Sequence, residues 1–191
     1  MNKMCYYLYE KWPTFTAPVA IFLTLFLIVS YQAIGWIPFL VWIQLVMYLL
    51  HEHEEYVYPG GFRDYFNTTM FPRKKDILSN RAAFCINSIG VWCLYSCCAL
   101  LTQHVSYGFG IITPVFSLCN GAIHIANSVK TGKYNPGLIT SVGLFYPVSL
   151  YTIYVLYVHD YISLWHIAGA LFFGIGAHVV LIIALLYAKK R

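Results

Sequence analysis

The sequence predicts an all-α, polytopic membrane protein with six transmembrane helices. Its mean hydropathy is +0.65, and charged residues make up 10% of its 191 residues, whereas a soluble domain carries about 25%. The second observation is a series of apolar runs, each long enough to cross a bilayer. These runs cover residues 17–34, 37–56, 82–101, 109–129, 138–158 and 162–188.

Basic residues indicate the orientation independently of hydropathy. With six spans, all twelve lysines and arginines fall before the first span, in the loop 57–81, between the fourth and fifth spans, or after the sixth. The opposite connections, around Gly35, His104 and His159, carry none. The positive-inside rule then places both termini in the cytoplasm. We expect one domain, residues 1–191, with residues 57–81 as a cytoplasmic loop.

A dense charged stretch, HEHEE at residues 51–55, closes the second span. Successive residues of a helix advance by about 100°, so positions three and four apart share a face. One face of this span therefore carries five polar residues: Gln44, Tyr48, His51, Glu54 and Glu55. By the same angles, Glu52 and His53 turn away from the other spans.

Three further spans bring polar side chains to a similar depth. At about 1.5 Å per residue, His51 lies roughly 8 Å inside its helix end, Asn87 and His124 roughly 9 Å, and His178 roughly 16 Å. The fourth span also carries a polar stripe: Ser117, Asn120, His124 and Asn127. Ionisable and polar groups at membrane depth are costly against lipid, so we expect these stripes to face one another.

Three short motifs carry a family resemblance. His51 to Glu55 fit the pattern HXXEE, Asn120 and His124 form an NxxxH pair, and Pro136 precedes Gly137 as a PG pair. In these motifs and its short spans, the chain resembles the HXXEE family of bacterial integral membrane proteins over most of its length. The resemblance implies a small multi-span protein of the bacterial cytoplasmic membrane. It implies no particular activity, so the chemistry has to be argued from the residues.

The polar residues favour a metal site. Histidine and carboxylate side chains are the ligands of catalytic zinc, which keeps one coordination position for water. We predict four ligands for one divalent ion: His51, Glu55, His124 and His178. Glu54 would then act as the general base, and Asn120 would polarise a substrate carbonyl.

The preferred activity is hydrolysis of a lipid-like ester or amide from the cytoplasmic leaflet. Zinc is the expected ion, iron is the alternative, and no organic cofactor is expected. Membrane lipids are the expected partners, and nucleic acid is not. Five residues would support the pocket: Gln44, Tyr48, Asn87, Ser117 and Asn127.

Other functions use the same residues. A small-molecule or proton-coupled transporter would use the glutamates and histidines as a relay, although transport needs access from both sides. A metal-free isomerase would shuttle a proton between histidine and glutamate in a lipid pocket. A bis-histidine haem would leave the glutamates without a role, and a di-iron centre would need more ligands. The plainest alternative is that the glutamates are solvated or paired with loop arginines.

The loop after the second span has a composition suited to the membrane interface. Its sequence, YPGGFRDYFNTTMFPRKK, places aromatic residues among basic ones. The basic run Arg73-Lys74-Lys75 would meet anionic lipid, although topology alone also explains it. If this loop covers the His51 site, it would be the natural lid, which is a hypothesis for the structure to test.

Overall fold

The computed structural model describes residues 3–74 and 76–188, and within these ranges it contains helices and no strand. Seven helices of eight or more residues form the framework: α1 Lys3–Lys11, α2 Thr16–Ile34, α3 Trp36–Tyr56, α4 Asn80–His104, α5 Tyr107–Thr131, α6 Leu138–Val158 and α7 Leu164–Ala188. A short helical segment, Phe62–Met70, lies between α3 and α4. The all-α fold class is therefore confirmed.

Within the part of the chain that the structure describes, five helical stretches are long and apolar enough to cross a membrane, which supports an integral membrane protein. They are Tyr6–Ile34, Asn80–His104, Tyr107–Thr131, Leu138–Val158 and Leu164–Ala188. Helix α3 is of similar length, but its last turns carry HEHEE. It packs against α2, α4, α5 and α6, and most of its side chains are buried. The sixth span and the cytoplasmic termini stay predictions.

A cluster of aromatic side chains packs against the HEHEE motif at His51. Tyr48 of α3 packs against Tyr95 of α4 and Phe145 of α6, with ring centroids 5.0 Å and 5.4 Å apart. The Phe145 ring also lies 4.5 Å from the His51 ring, and Phe145 and Tyr95 are fully buried. Close packing of large rings restricts rotamers, so this layer fixes the direction of His51.

Two of the long helices, α4 and α6, contain π-helical turns. Residues Cys85–Val91 of α4 and Ser141–Phe145 of α6 form such turns. A π-helical turn inserts an extra residue into the α-helical repeat, which rotates the side chains that follow it, and such turns are frequent at functional sites. These two place Asn87 and Phe145 toward the bundle interior.

The connection between α3 and α4 folds back onto the bundle. Asn67 donates to the Leu78 carbonyl at 3.1 Å and accepts from the Leu78 amide at 2.9 Å. Arg63 donates to the Asn80 side chain at 2.5 Å. Phe66 and Leu78 are buried. The segment Phe62–Met70 is therefore held against the helices.

Candidate metal centre

Three buried side chains from two helices converge at the end of α3. His51 and Glu55 are one turn apart on α3, and His124 comes from α5. Their exposed fractions are 0%, 4% and 2%. The Nε2 atoms of His51 and His124 lie 3.6 Å and 3.3 Å from Glu55 Oε1. These separations are close to the roughly 3.3 Å expected between ligands of a tetrahedral zinc ion.

The contacts of Thr140, on the first turn of α6, indicate which ring nitrogen of His51 carries a proton. Its hydroxyl lies 2.5 Å from Glu54 Oε2, 3.3 Å from the Gly137 carbonyl and 2.8 Å from His51 Nδ1. Glu54 and Gly137 offer only acceptor oxygens, so they take the one hydroxyl proton. His51 Nδ1 must therefore donate to Thr140. When the imidazole is neutral, Nε2 then carries the lone pair and faces the Glu55 carboxylate at 3.6 Å.

The facing acceptors define an electrostatic requirement. His51 Nε2 has no hydrogen-bond partner among residues 3–74 and 76–188, and it faces Glu55 Oε1 at 3.6 Å. Two electron-rich atoms that face each other in a buried site repel unless a proton or a cation lies between them. A group of these three side chains has ligand atoms within 4.8 Å of one another and could hold a metal ion.

Glu54 has a different environment from Glu55. Its Oε1 accepts from the Tyr134 hydroxyl at 2.6 Å and the Ile139 amide at 3.0 Å, while Oε2 accepts from the Thr140 amide at 2.7 Å and the Thr140 hydroxyl. The carboxylate thus caps the N-terminus of α6, where backbone amides lack helical partners. Partial burial and the Glu54 carboxylate raise the pKa of Tyr134 above its ordinary value.

Gly137 explains why the PG pair accompanies the histidines. It has a φ of +100°, and a Cβ atom there would lie 2.6 Å from His124 Cε1 and 2.7 Å from His51 Cε1. Both rings therefore pack against backbone that carries no side chain. Glycine is required here twice, for its left-handed conformation and for the space its missing Cβ leaves to the two imidazoles.

A cavity of about 100 Å³ opens beside Glu55 and His124. Most of its wall is apolar, and it is contributed by α4, α5, α7 and the connecting segment: Phe62, Phe66, Met70, Leu78, Ile86 and Leu181 are examples. Polar groups on the wall include Asn87, Asn120 and His178. The Phe62 ring lies 5.2 Å from the His124 ring, so the predicted lid segment covers this side of the site.

Three other predicted site residues, His178, Asn120 and Asn87, line the cavity and are hydrogen-bonded to neighbouring groups. His178 and Asn120 line the cavity, but His178 lies outside the three-ligand group and its Nδ1 bonds the Gly174 carbonyl at 2.7 Å. Asn120 donates to the Tyr48 hydroxyl at 3.3 Å, while its Oδ1 is buried without a partner in the described chain. Asn87 donates to the Tyr56 hydroxyl.

The remaining three predicted residues are satisfied away from the ligands. Gln44 bonds Thr152 and Ser149, which links α3 to α6. Ser117 bonds the Tyr95 hydroxyl at 2.7 Å, and Asn127 bonds a carbonyl of its own helix. Their pocket roles stay predictions.

The prediction that Glu52 turns away from the other spans is wrong. Glu52 is fully buried and accepts a hydrogen bond of 2.7 Å from Trp92 Nε1 on α4. The face opposite His51 is enclosed as well, because α3 has neighbours on several sides. Sequence reasoning also missed Thr140 and Tyr134, and the only local signal for Thr140 was its position three residues after the PG pair.

Fold and site together define a helical membrane protein whose bundle encloses a histidine and carboxylate cluster able to hold a metal ion. The chain belongs to the family described as protein of unknown function with HXXEE motif, whose model matches residues 42–152. The matched region contains every member of the cluster and the α6 cap. No curated protein and no solved structure matches the chain.

Proposed function

We propose that the protein is a metal-dependent membrane hydrolase that binds zinc through His51 Nε2, Glu55 and His124. The observation that carries this proposal is the setting of the His51 ring: Nδ1 lies 2.8 Å from the Thr140 hydroxyl, and Nε2 lies 3.6 Å from the Glu55 carboxylate. We infer from it that Nδ1 carries the proton and that the Nε2 lone pair is available to a metal ion. Two histidines and one glutamate are a ligand set of zinc hydrolases, in which the fourth position holds water.

Glu54 is proposed as the carboxylate that orients a ligand. The series Glu54, Thr140, His51 resembles the carboxylate and histidine pairs that fix ligand tautomers around metals. Both Glu54 oxygens are engaged by donors, which leaves neither free to accept a proton from water. This assignment replaces the role of general base that the sequence suggested for Glu54.

The cavity supports a lipid-like substrate. Its wall is mainly apolar, and it adjoins Glu55 and His124. Bound zinc would supply a water activated near neutral pH. Asn120 is proposed to donate from its amide to the substrate carbonyl, because it lies on the cavity wall and makes only a long bond of 3.3 Å to Tyr48.

Elemental analysis of the purified protein tests the site. We expect about one zinc per chain, and its loss in His51→Ala, His124→Ala and Glu55→Gln. His53→Ala is the matched control, because His53 is half-buried on the same helix and bonds Thr16 instead. If the protein contained iron in place of zinc, the proposed ligands would stand and only the identity of the metal would change.

Two results would contradict the proposal. The first is wild-type protein that takes up no zinc or iron on reconstitution, which would favour the metal-free proton shuttle. The second is equal metal loss in His53→Ala, which would point to a general effect on folding. Once metal is established, hydrolysis of paired ester and amide lipids in detergent, with and without a chelator, tests the reaction itself.

A further inference from the structure

A second cavity shares Tyr56 as a wall residue with the cavity beside the metal site. It has a volume of about 230 Å³ and is formed by α1, the end of α3, the start of α4 and residues Gly61 to Asp64. Three charged side chains line it: Glu10, Arg63 and Asp64. Aromatic residues complete its wall: Tyr9, Trp12 and Tyr56. It lies outside the proposed zinc ligands and has no role in the hydrolase chemistry proposed above.

Arg63 is positioned to bind an anionic group. One terminal nitrogen donates to Asn80 at 2.5 Å, and Nε lies 3.8 Å from an Asp64 oxygen. A guanidinium carries five N–H donors in a planar fork that suits phosphate, so several donors are left for a ligand. The bond to Asn80 fixes the fork at the start of α4.

The two carboxylates restrict which anion fits. Glu10 and Asp64 share the cavity with Arg63, so a simple anion would be repelled by two negative charges. A ligand with a phosphate for Arg63 and an ammonium for the carboxylates satisfies all three. The rings of Tyr9, Trp12 and Tyr56 add favourable faces for an ammonium group.

Tyr56 lines both this cavity and the one beside the metal site, so the two cavities are neighbours. The next wall residues along the connecting segment alternate as well, because Gly61 and Arg63 face the second cavity while Phe62 faces the first. A single molecule with a polar end in one cavity could therefore place an apolar chain in the other.

We infer that the second cavity binds a zwitterionic aminoalkyl phosphate, the headgroup of the lipid substrate whose apolar part enters the metal cavity. That the bound lipid is a substrate rests on the proposed function. The binding of the headgroup itself depends on Arg63, Glu10 and Asp64 and not on metal. The same chemistry is present in free phosphoethanolamine and in phosphatidylethanolamine.

Binding measurements on the full chain in nanodiscs test the inference. Free phosphoethanolamine is titrated into protein in phosphatidylglycerol discs, and then in discs that also contain phosphatidylethanolamine. We expect saturable binding in the first and competition in the second. Arg63→Gln should weaken binding about tenfold or more, because a charge-assisted phosphate contact is lost. Arg81→Gln is the control, since Arg81 is exposed nearby and lines neither cavity.

Glu10→Gln gives an independent reading, because Glu10 is exposed and its change leaves the Arg63 to Asn80 bond intact. Glu10→Gln should weaken the binding of phosphoethanolamine, whereas inorganic phosphate should bind at least as tightly as it does to the wild type. Absence of binding, or equal loss in Arg81→Gln, overturns the inference. Binding of the free compound without competition by the lipid overturns the headgroup assignment. Repeating the titration with His51→Ala separates the two proposals, since headgroup binding should survive there even if the metal does not.

Discussion

The Gly137 contact gives the sharpest prediction, a Gly137→Ala substitution. The new Cβ would lie 2.6 Å from His124 Cε1 and 2.7 Å from His51 Cε1, whereas ordinary contacts begin near 3.4 Å. Both rings, or the turn itself, must therefore move by about 0.7–0.8 Å, whereas metal–ligand distances tolerate roughly 0.2 Å. We expect metal affinity to fall about tenfold or more, as it does when a residue that contacts and orients a metal ligand is changed.

The cost in folding stability has two separable parts. An alanine at a left-handed position costs roughly 1–2 kcal/mol, and overpacking a filled site costs roughly 1–3 kcal/mol more. Gly132→Ala isolates the first part, because Gly132 has a φ of +64° and a Cβ added there would meet no atom within 4 Å. Gly137→Ala should therefore be the less stable variant by at least the overpacking cost, because its φ of +100° is also farther from the left-handed well than the +64° of Gly132.

The assay for both parts combines thermal unfolding in detergent with zinc titration. Gly132→Ala should bind zinc as the wild type does, and Gly137→Ala should not. The reasoning is refuted if the two alanine variants unfold at the same temperature and bind zinc equally. That result would mean that the imidazoles are not packed against the PG turn.

Three further outcomes are expected. Glu54→Gln should lower zinc affinity about 10–100-fold with helix content retained, because the acceptor that orients Thr140 is weakened; unchanged zinc titration would exclude the orienting role. Trp92→Phe should cost roughly 1–3 kcal/mol in denaturant unfolding, because the buried Glu52 loses its donor, while zinc content stays unchanged. Because folding raises the pKa of Tyr134, its protonated hydroxyl stabilises the fold below pH 10, and this stabilisation is lost as the pH rises above that value. The free energy of unfolding of Tyr134→Phe should therefore depend less on pH above pH 10 than that of the wild type. Parallel plots of unfolding free energy against pH for the two proteins would contradict this.

Much of the helical framework was predictable because hydropathy is a property of long runs. The predicted run 138–158 coincides with α6, and 37–56 differs from α3 by one residue. Helix ends depend on local chemistry instead. Helix α4 begins earlier than predicted because Ser79 accepts from the Ala82 amide, and it continues to His104 through polar residues that hydropathy excludes.

The site was predictable where helical spacing alone decides it. His51 and Glu55 share a face because they are four residues apart, and depth brought His124 to the same level. The donors to Glu54 were not predictable, because they depend on how the turn before α6 approaches α3. Angles on one helix also cannot reveal a neighbour such as Trp92, which decides the surroundings of Glu52.

The hydrogen-bond series from Glu54 through Thr140 to His51 joins the start of α6 to a residue of α3 that we propose as a metal ligand. A shift of α6 along α3 would separate Thr140 from both partners and release the Nδ1 proton of His51 from its acceptor. Metal affinity and the position of α6 are then linked functions. Thermodynamic linkage makes the effect reciprocal: if a shift of α6 lowers the metal affinity by some factor, metal binding disfavours that shift by the same factor.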